Sequence, residues 1–333
     1  MPNSIVVSRG CPHVCDSCYK VAFFKGGKQF CTQAVDDALA EISRLPGRHL
    51  YFLDDHLFGN ARFATALFDG MSGMGRPWQA AGTVKTVPEN PRVLEKAAAS
   101  GLRSLLVGFE TVNAASLSGQ RKYQNIGRDY DLAVRRLHDP GIMVNGSFVF
   151  GMDEDGPDVF DRTVERAIRQ GTETATFRIL TPYPDTALHA RMTAESRILH
   201  SDWDRYDTRQ VVFRPAGMNA GTLEAGYWQA CKDFCRRGSI WTAAATQETL
   251  RGRLRHLAYA GGWKKFEPLR DLAIRSQRVV HALPLLEAVL TGFGRHHPQH
   301  EAAPEELPAG APEEQHRPAR DLRLLDRSPP QRP

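Results

Sequence analysis

A parallel α/β fold is predicted for this 333-residue chain, and three features of the sequence predict it. Short β-type runs alternate with helix-spaced apolar patterns six times over the first two hundred residues, as βαβ units do. Residues capable of chemistry gather just after those runs, at the C-terminal ends of strands, where open parallel sheets and barrels alike build their sites. The composition, 41% hydrophobic and 24% charged, is ordinary for a globular protein long enough to bury a core without disulfides.

The elements follow in order. Ser4–Ser8 (SIVVS) is the first strand and runs into a cysteine-rich loop. Ala34, Val35, Ala38, Leu39, Ile42 and Leu45 recur at helical spacing across 33–45, with Thr32 as the expected N-cap. His49–Leu53 is the second strand, followed by a helix through Phe63–Met71; Trp78–Gly82 is a weaker third strand. Arg92–Ser100 is helical and stops at Gly101, a natural C′ residue. Leu102–Gly108, Ile142–Phe150 and Thr174–Leu180 are the remaining strands, with helices over Asp129–His138 and Val159–Gln170 between them. Periodicity does not decide between a closed and an open sheet. The alternation stops near residue 200, giving three parts: a β/α core over 1–200, a connector and mostly helical region over 201–296, and a proline-rich, charged tail over 297–333 expected to be disordered.

Several function classes are excluded. The 43 Lys and Arg against 38 Asp and Glu leave a net charge of only +5, with no dense basic run to suggest nucleic acid or an anionic membrane. The longest apolar candidate for a membrane span, Ala282–Leu290, is interrupted by Pro284 and Glu287. No secretory leader pattern precedes the first strand, so a cytoplasmic protein is expected.

Three of the six cysteines, Cys11, Cys15 and Cys18, fall within eight residues as Cys-x3-Cys-x2-Cys. Three clustered thiols in a cytoplasmic chain make a poor disulfide framework. As thiolates they suit an iron–sulfur cluster with one iron left open. The competing reading is structural zinc, which wants four closed ligands and would draw on His13 or Cys31. Cys231 and Cys235, at i and i+4 on one helix face, read as buried free thiols.

The motif in its setting, after the first strand of a six-fold β/α pattern and followed by Tyr19, resembles the signature of the radical S-adenosylmethionine (radical SAM) superfamily. The segments YFLDDHLFGN (51–60), VGFETVN (107–113), RKYQN (121–125), GSFVFGMDEDG (146–156), ILTPYPDTAL (179–188) and VVFRPAGM (211–218) resemble the radical SAM part of its cobalamin-binding-type members. The resemblance implies a partial (β/α)6 TIM-type barrel with a C-terminal helical extension. It implies an enzyme of oxidoreductase or methyltransferase type that cleaves SAM reductively to a 5′-deoxyadenosyl radical, which takes hydrogen from a small organic substrate. Methylation is the specific outcome that the subfamily suggests. The one-electron donor would be an external flavodoxin or ferredoxin.

Residue by residue, the resemblance makes Cys11, Cys15 and Cys18 ligands of a [4Fe-4S] cluster whose fourth iron SAM chelates, with Tyr19 near the adenine. One of Asp54 and Asp55 would meet the methionine ammonium, the alternative being that Asp55 caps a turn. Glu110 would meet the ribose or methionine, with a salt bridge to Lys85 or Arg178 as its alternative. Gly146 and Gly151 would let backbone approach the adenine, against plain strand-end turn chemistry. Arg178, with Thr181 and Tyr183, would line the pocket. No catalytic side chain is assigned.

The chain also departs from the pattern. Only ten residues precede Cys11, where such relatives carry a Rossmann-like cobalamin domain, so a cobalamin requirement is in doubt. Asp185 stands where relatives tend to have Gly, and Pro140 where Leu is common, which suggests a divergent copy. A non-catalytic zinc- or cluster-binding subunit is the alternative from another class. An RNA-modifying role is disfavoured by the mild charge.

Overall fold

The computed structural model describes residues 3–24, 30–85 and 91–275, with side chains described to 262. The helical reading beyond Arg275 and the proline-rich tail lie outside the described residues. Among the described residues, six strands form one parallel sheet in the order β1–β4–β5–β6–β7–β8: β1 (Asn3–Ile5), β4 (Leu50–Phe52), β5 (Trp78–Thr83), β6 (Leu102–Glu110), β7 (Met143–Phe150) and β8 (Thr174–Ile179). Each strand pairs in parallel with the next. β1 and β8 are the sheet's two edges, so the barrel is partial, as the resemblance implied.

Alternation along the strands assigns the two faces. On β7 the residues Val144, Gly146, Phe148 and Phe150 are buried, while Met143, Asn145, Ser147 and Val149 are only half-buried. The buried set meets the helix layer. Phe148 stacks between Phe109 and Phe177, Phe150 meets Phe160 of α7 (Val159–Arg169), and Phe177 meets Phe234 of α9 (Ala220–Phe234). On the other side of the layer, Trp78 packs on Phe68 of α3 (Ala61–Met71). The opposite, inner face carries polar groups, Gln79, Thr83, Glu110, Asn145, Ser147, Thr176 and Arg178 along four strands, beside apolar Leu106, Met143 and Val149. An apolar outer face with an open polar inner one is what a site-bearing barrel needs.

The helices start and stop on the expected signals. Asn60 caps α3, and Asp129 caps α6 (Tyr130–His138), each accepting from the backbone three residues on. α4 (Pro91–Ser100) ends at Gly101, whose φ is +119°. One cap differs. α2 (Val35–Arg44) begins after Ala34 with no side-chain cap, because Thr32 is spent in β3 (Phe30–Thr32). β3 pairs antiparallel with β2 (Ser8–Gly10), so the predicted first strand is two: β1 in the barrel, then a ribbon that turns the chain toward the cysteine loop. α9, α10 (Arg237–Ala245) and α11 (Leu250–Arg275) follow the sheet, with α9 packed on β8 and α7. No helix among the described residues is long and apolar enough to cross a membrane.

Candidate functional site

The cysteine loop runs from the end of β2 to α1 (Tyr19–Phe23), with Cys18 as the residue preceding the helix. Cys15 is buried, and Cys11 and Cys18 are half-buried. A turn closes the loop, the Cys18 amide donating to the Cys15 carbonyl at 3.2 Å. Asp16 ties it to both flanks: its amide donates to Gln120 O (3.2 Å), and its carbonyl accepts from Leu188 N (3.1 Å) at the start of α8 (Ala187–Ala194). Its carboxylate pairs with Arg121. Tyr19 lies edge-on to Tyr183, 6.4 Å between ring centroids, just beyond β8. The loop therefore spans the top of the seam between the unpaired edge strands.

Burial pushes the Cys11 and Cys15 thiols up; at Cys15 the Lys122 ammonium and the Gln124 side chain oppose that, favouring the thiolate. The three thiols also sense one another, since Cys15 and Cys18 each raise Cys11. Among the described residues, no group of three or more His, Cys, Asp or Glu converges on one point as a single metal ion requires. Cys31 is exposed on β3. Structural zinc takes four ligands on one ion, whereas a cluster takes one thiolate on each of three separate irons. By donor type, three free thiols in one loop fit the cluster.

Asp54 is buried and fully used. It accepts from Val7 N (3.2 Å), from Ser8 N and from Ser8 Oγ (2.5 Å), and so fixes the turn between β1 and β2. Burial raises its pKa against those donors. Asp55 accepts from Gly10 N (2.8 Å) and pairs with Lys20 Nζ (2.7 Å), bracketing the cysteine loop instead of capping the turn that follows it. Beside them His13 and His56 lie 5.6 Å apart. Burial, then His13 and the lysines Lys20 and Lys85, bring His56 down to about 4, so it is neutral at pH 7; its buried Nδ1 has no hydrogen-bond partner among the described residues.

Glu110 ends β6 at an irregularity in the β6–β7 register, with φ +69°. A non-glycine residue there marks stored backbone strain of the kind found at functional sites. Its partner is neither Lys85 nor Arg178 but Lys122, Nζ to Oε2 2.8 Å, and the lysine is 8% exposed. The bulge turns Glu110 toward the returning segment. That segment, Gln120–Asn125, also places the Gln124 Nε2–H group 3.5 Å from Cys15 Sγ, while Asn125 Nδ2 donates to Gly108 O (2.8 Å) and Tyr130 OH to Phe109 O (2.9 Å).

The later strands match the expectations unevenly. At Gly146 a Cβ would stand 2.7 Å from a Phe148 ring carbon and 3.3 Å from Phe109. That is the helix-layer face, so packing replaces adenine approach as its reason. Gly151 has φ +94°, and its amide donates to Asp155 (3.1 Å), which is the turn chemistry held as the alternative. Asp155, buried, accepts from Met152 N (3.0 Å) and Ser116 Oγ (3.0 Å) as well. Arg178 is exposed on the inner face by the β8 edge, in a cleft of about 190 Å³ shared with Thr208, Tyr227, Cys231 and Cys235. Asp185 holds φ +61°, the left-handed region that glycine adopts at least cost. Lys122, Gln124 and Asp155 were missed as individual residues, although RKYQN and GMDEDG were singled out as segments.

A three-thiol loop following the first strands of a parallel partial barrel is the arrangement that the resemblance implied. No family model matches the chain. It is 30% identical over 242 residues to the bacteriochlorophyllide d C-12(1)-methyltransferase of Chlorobaculum tepidum, covering 71% of this chain and 52% of that protein. The chain thus spans about half the length of this curated relative. Among solved structures, the cobalamin-dependent S-adenosylmethionine radical enzyme OxsB, with aqua-cobalamin bound, superposes with a TM-score of 0.53 at 13% identity, over 79% of this chain and 46% of OxsB. The radical S-adenosylmethionine methyltransferase TsrM of Kitasatospora setae, with cobalamin and a [4Fe-4S] cluster bound, gives 0.51 at 17% identity, over 70% and 43%. The resemblance to the radical SAM superfamily, in the radical SAM part of its cobalamin-binding type, is borne out.

Proposed function

We propose that this chain is the radical SAM core of an enzyme, with Cys11, Cys15 and Cys18 holding a [4Fe-4S] cluster and the polar inner face receiving SAM and a small organic substrate. The observation that carries the reading is the three-thiol loop, anchored through Asp16 to both flanks above that inner face. When bound, cluster and SAM supply one-electron reductive cleavage of the sulfonium, radical chemistry that side chains alone do not perform.

The chain's own residues position and exclude. Asp54 fixes the turn that leads into the loop, Asp55 and Lys20 bracket it, and Lys122 sets a positive charge behind Cys15. Of the expected SAM contacts, Tyr19, Asp55, Glu110 and Arg178 keep polar atoms or ring surface toward the loop or inner face and are proposed as binding residues; Asp54 acts through the loop, and Gly151 shapes the turn beyond β7. The core is assigned to residues 1–200, with the described helices α9 to α11 shaping substrate choice. Methyl transfer is the reaction favoured, because the printed names of the curated relative and of TsrM are methyltransferases. The electron donor is an external low-potential protein such as a flavodoxin or ferredoxin.

Anoxic reconstitution of the full chain should give iron and sulfide at roughly four each, and addition of dithionite and SAM should yield 5′-deoxyadenosine. Cys15→Ala should yield none. Zinc without iron, or equal product from both proteins, overturns the reading. Running the assay with and without hydroxocobalamin decides the cobalamin requirement.

A further inference from the structure

We propose that Gln124 is a positioning residue that sets the reduction potential of the cluster, through its side-chain N–H donated to the Cys15 sulfur. The inference rests on the cluster assignment above and goes beyond it by naming what tunes the cluster. Gln124 Nε2 lies 3.5 Å from Cys15 Sγ, within range for a sulfur acceptor, and Cys15 is 9% exposed, so water competes little for that sulfur.

The donor is held rigidly. Its segment is pinned by the Gln120 carbonyl accepting from Asp16 N, by the Arg121–Asp16 pair, by Lys122 N donating to Leu117 O (2.9 Å), and by Asn125 gripping the end of β6. All of these ties but the one to Leu117 act on the loop or on the strand beside it. An adjustable surface glutamine would need none of them. The Lys122 ammonium, buried behind the same sulfur and neutralised in part by Glu110, adds to the local field.

The direction follows from charge. On reduction, a [4Fe-4S] cluster gains one electron from an external donor and passes from 2+ to 1+, and the added negative charge spreads onto the sulfurs. A hydrogen-bond donor on a ligand sulfur stabilises the more negative state and raises the potential. Removing it makes the cluster harder to reduce.

The test is an EPR-monitored redox titration of the reconstituted full chain. Gln124→Leu keeps the bulk without the donor, and Gln124→Glu replaces it with a carboxylate. The reduction equilibrium should shift at least tenfold toward the oxidised form in Gln124→Leu, which is 59 mV for one electron, and further in Gln124→Glu. Equal potentials in all three proteins overturn the inference while leaving the cluster assignment standing. Wild-type protein that assembles no [4Fe-4S] cluster overturns both. Should the variants fail to assemble one, pulsed EPR on reduced wild type labelled with amide-15N glutamine decides: a nitrogen coupling supports the donor, and its absence overturns it.

Discussion

Asp155 should make the cofactor-free protein less stable as pH rises through the mildly acidic range, opposite to the usual behaviour of a buried carboxylate. Burial raises its pKa from 3.8 to about 6, outweighing the donors Met152 N, Ser116 Oγ and Gly151 N, and Asp153 adds to the rise. Between those two values the native state keeps a proton that the unfolded chain has released, so stability falls as pH climbs from 3.8 to 6 and is level above. At 1.36 kcal/mol per pH unit the whole span corresponds to about 3 kcal/mol, most of it between pH 4 and 7. Asp155→Asn removes the titration while its amide oxygen still accepts from the two backbone N–H groups and its NH2 faces Ser116 Oγ. Guanidinium unfolding of both proteins, followed by circular dichroism from pH 4 to 7.5, should show the variant gaining relative to wild type by about 2–3 kcal/mol as pH rises. A stability of the variant relative to wild type that stays constant over this range, or falls as pH rises, refutes the argument.

Two further outcomes follow from buried contacts elsewhere. Glu173 should give the opposite slope: burial alone would raise it, but hydrogen bonds from His138 (3.2 Å) and Val144 N (2.8 Å), with the His256 ring 3.8 Å away, hold it at about 2 against an ordinary 4.5. Its contribution is present above pH 4.5 and lost as pH falls toward 2, so Glu173→Gln should flatten the acid limb of an unfolding titration by about 3 kcal/mol. Gly101→Ala should cost at least about 2 kcal/mol in thermal denaturation, since φ is +119° and an added Cβ would meet the Arg76 carbonyl oxygen at 2.1 Å.

The sheet was legible because its code is local. Apolar runs such as Leu102–Val107 and the helix spacing of 130–138 repeat within a few residues, and their ends carry readable punctuation in Asn60, Asp129, Gly101 and Gly171. The β2–β3 ribbon was not legible. SIVVS reads as one strand, and only the long-range pairing of Ser8 with Thr32 divides it and takes Thr32 away from the helix it was expected to cap. Gly146 misled for a related reason: a glycine in a strand announces close approach, but the strand's register decides which face is approached, and here it is the face of the Phe148 and Phe109 rings.

The partners of Glu110 carry the same lesson into the site. A carboxylate at a strand end was matched with cations at neighbouring strand ends, Lys85 and Arg178, because adjacent parallel strands bring their ends together. The bulge between Gly108 and Glu110 breaks that geometry, turning the side chain toward the segment that returns after α5 (Ala114–Gly119), where Lys122 waits. That same segment supplies Gln124 to Cys15 and Arg121 to Asp16. Strands therefore place the backbone of this site, whereas the loop between β6 and α6 supplies much of the charge and hydrogen bonding around the cysteines. Substitution of Arg121 or Gln124 should accordingly disturb the cysteine loop while leaving sheet stability comparatively intact, whereas substitutions at Phe109 or Phe148 should do the reverse.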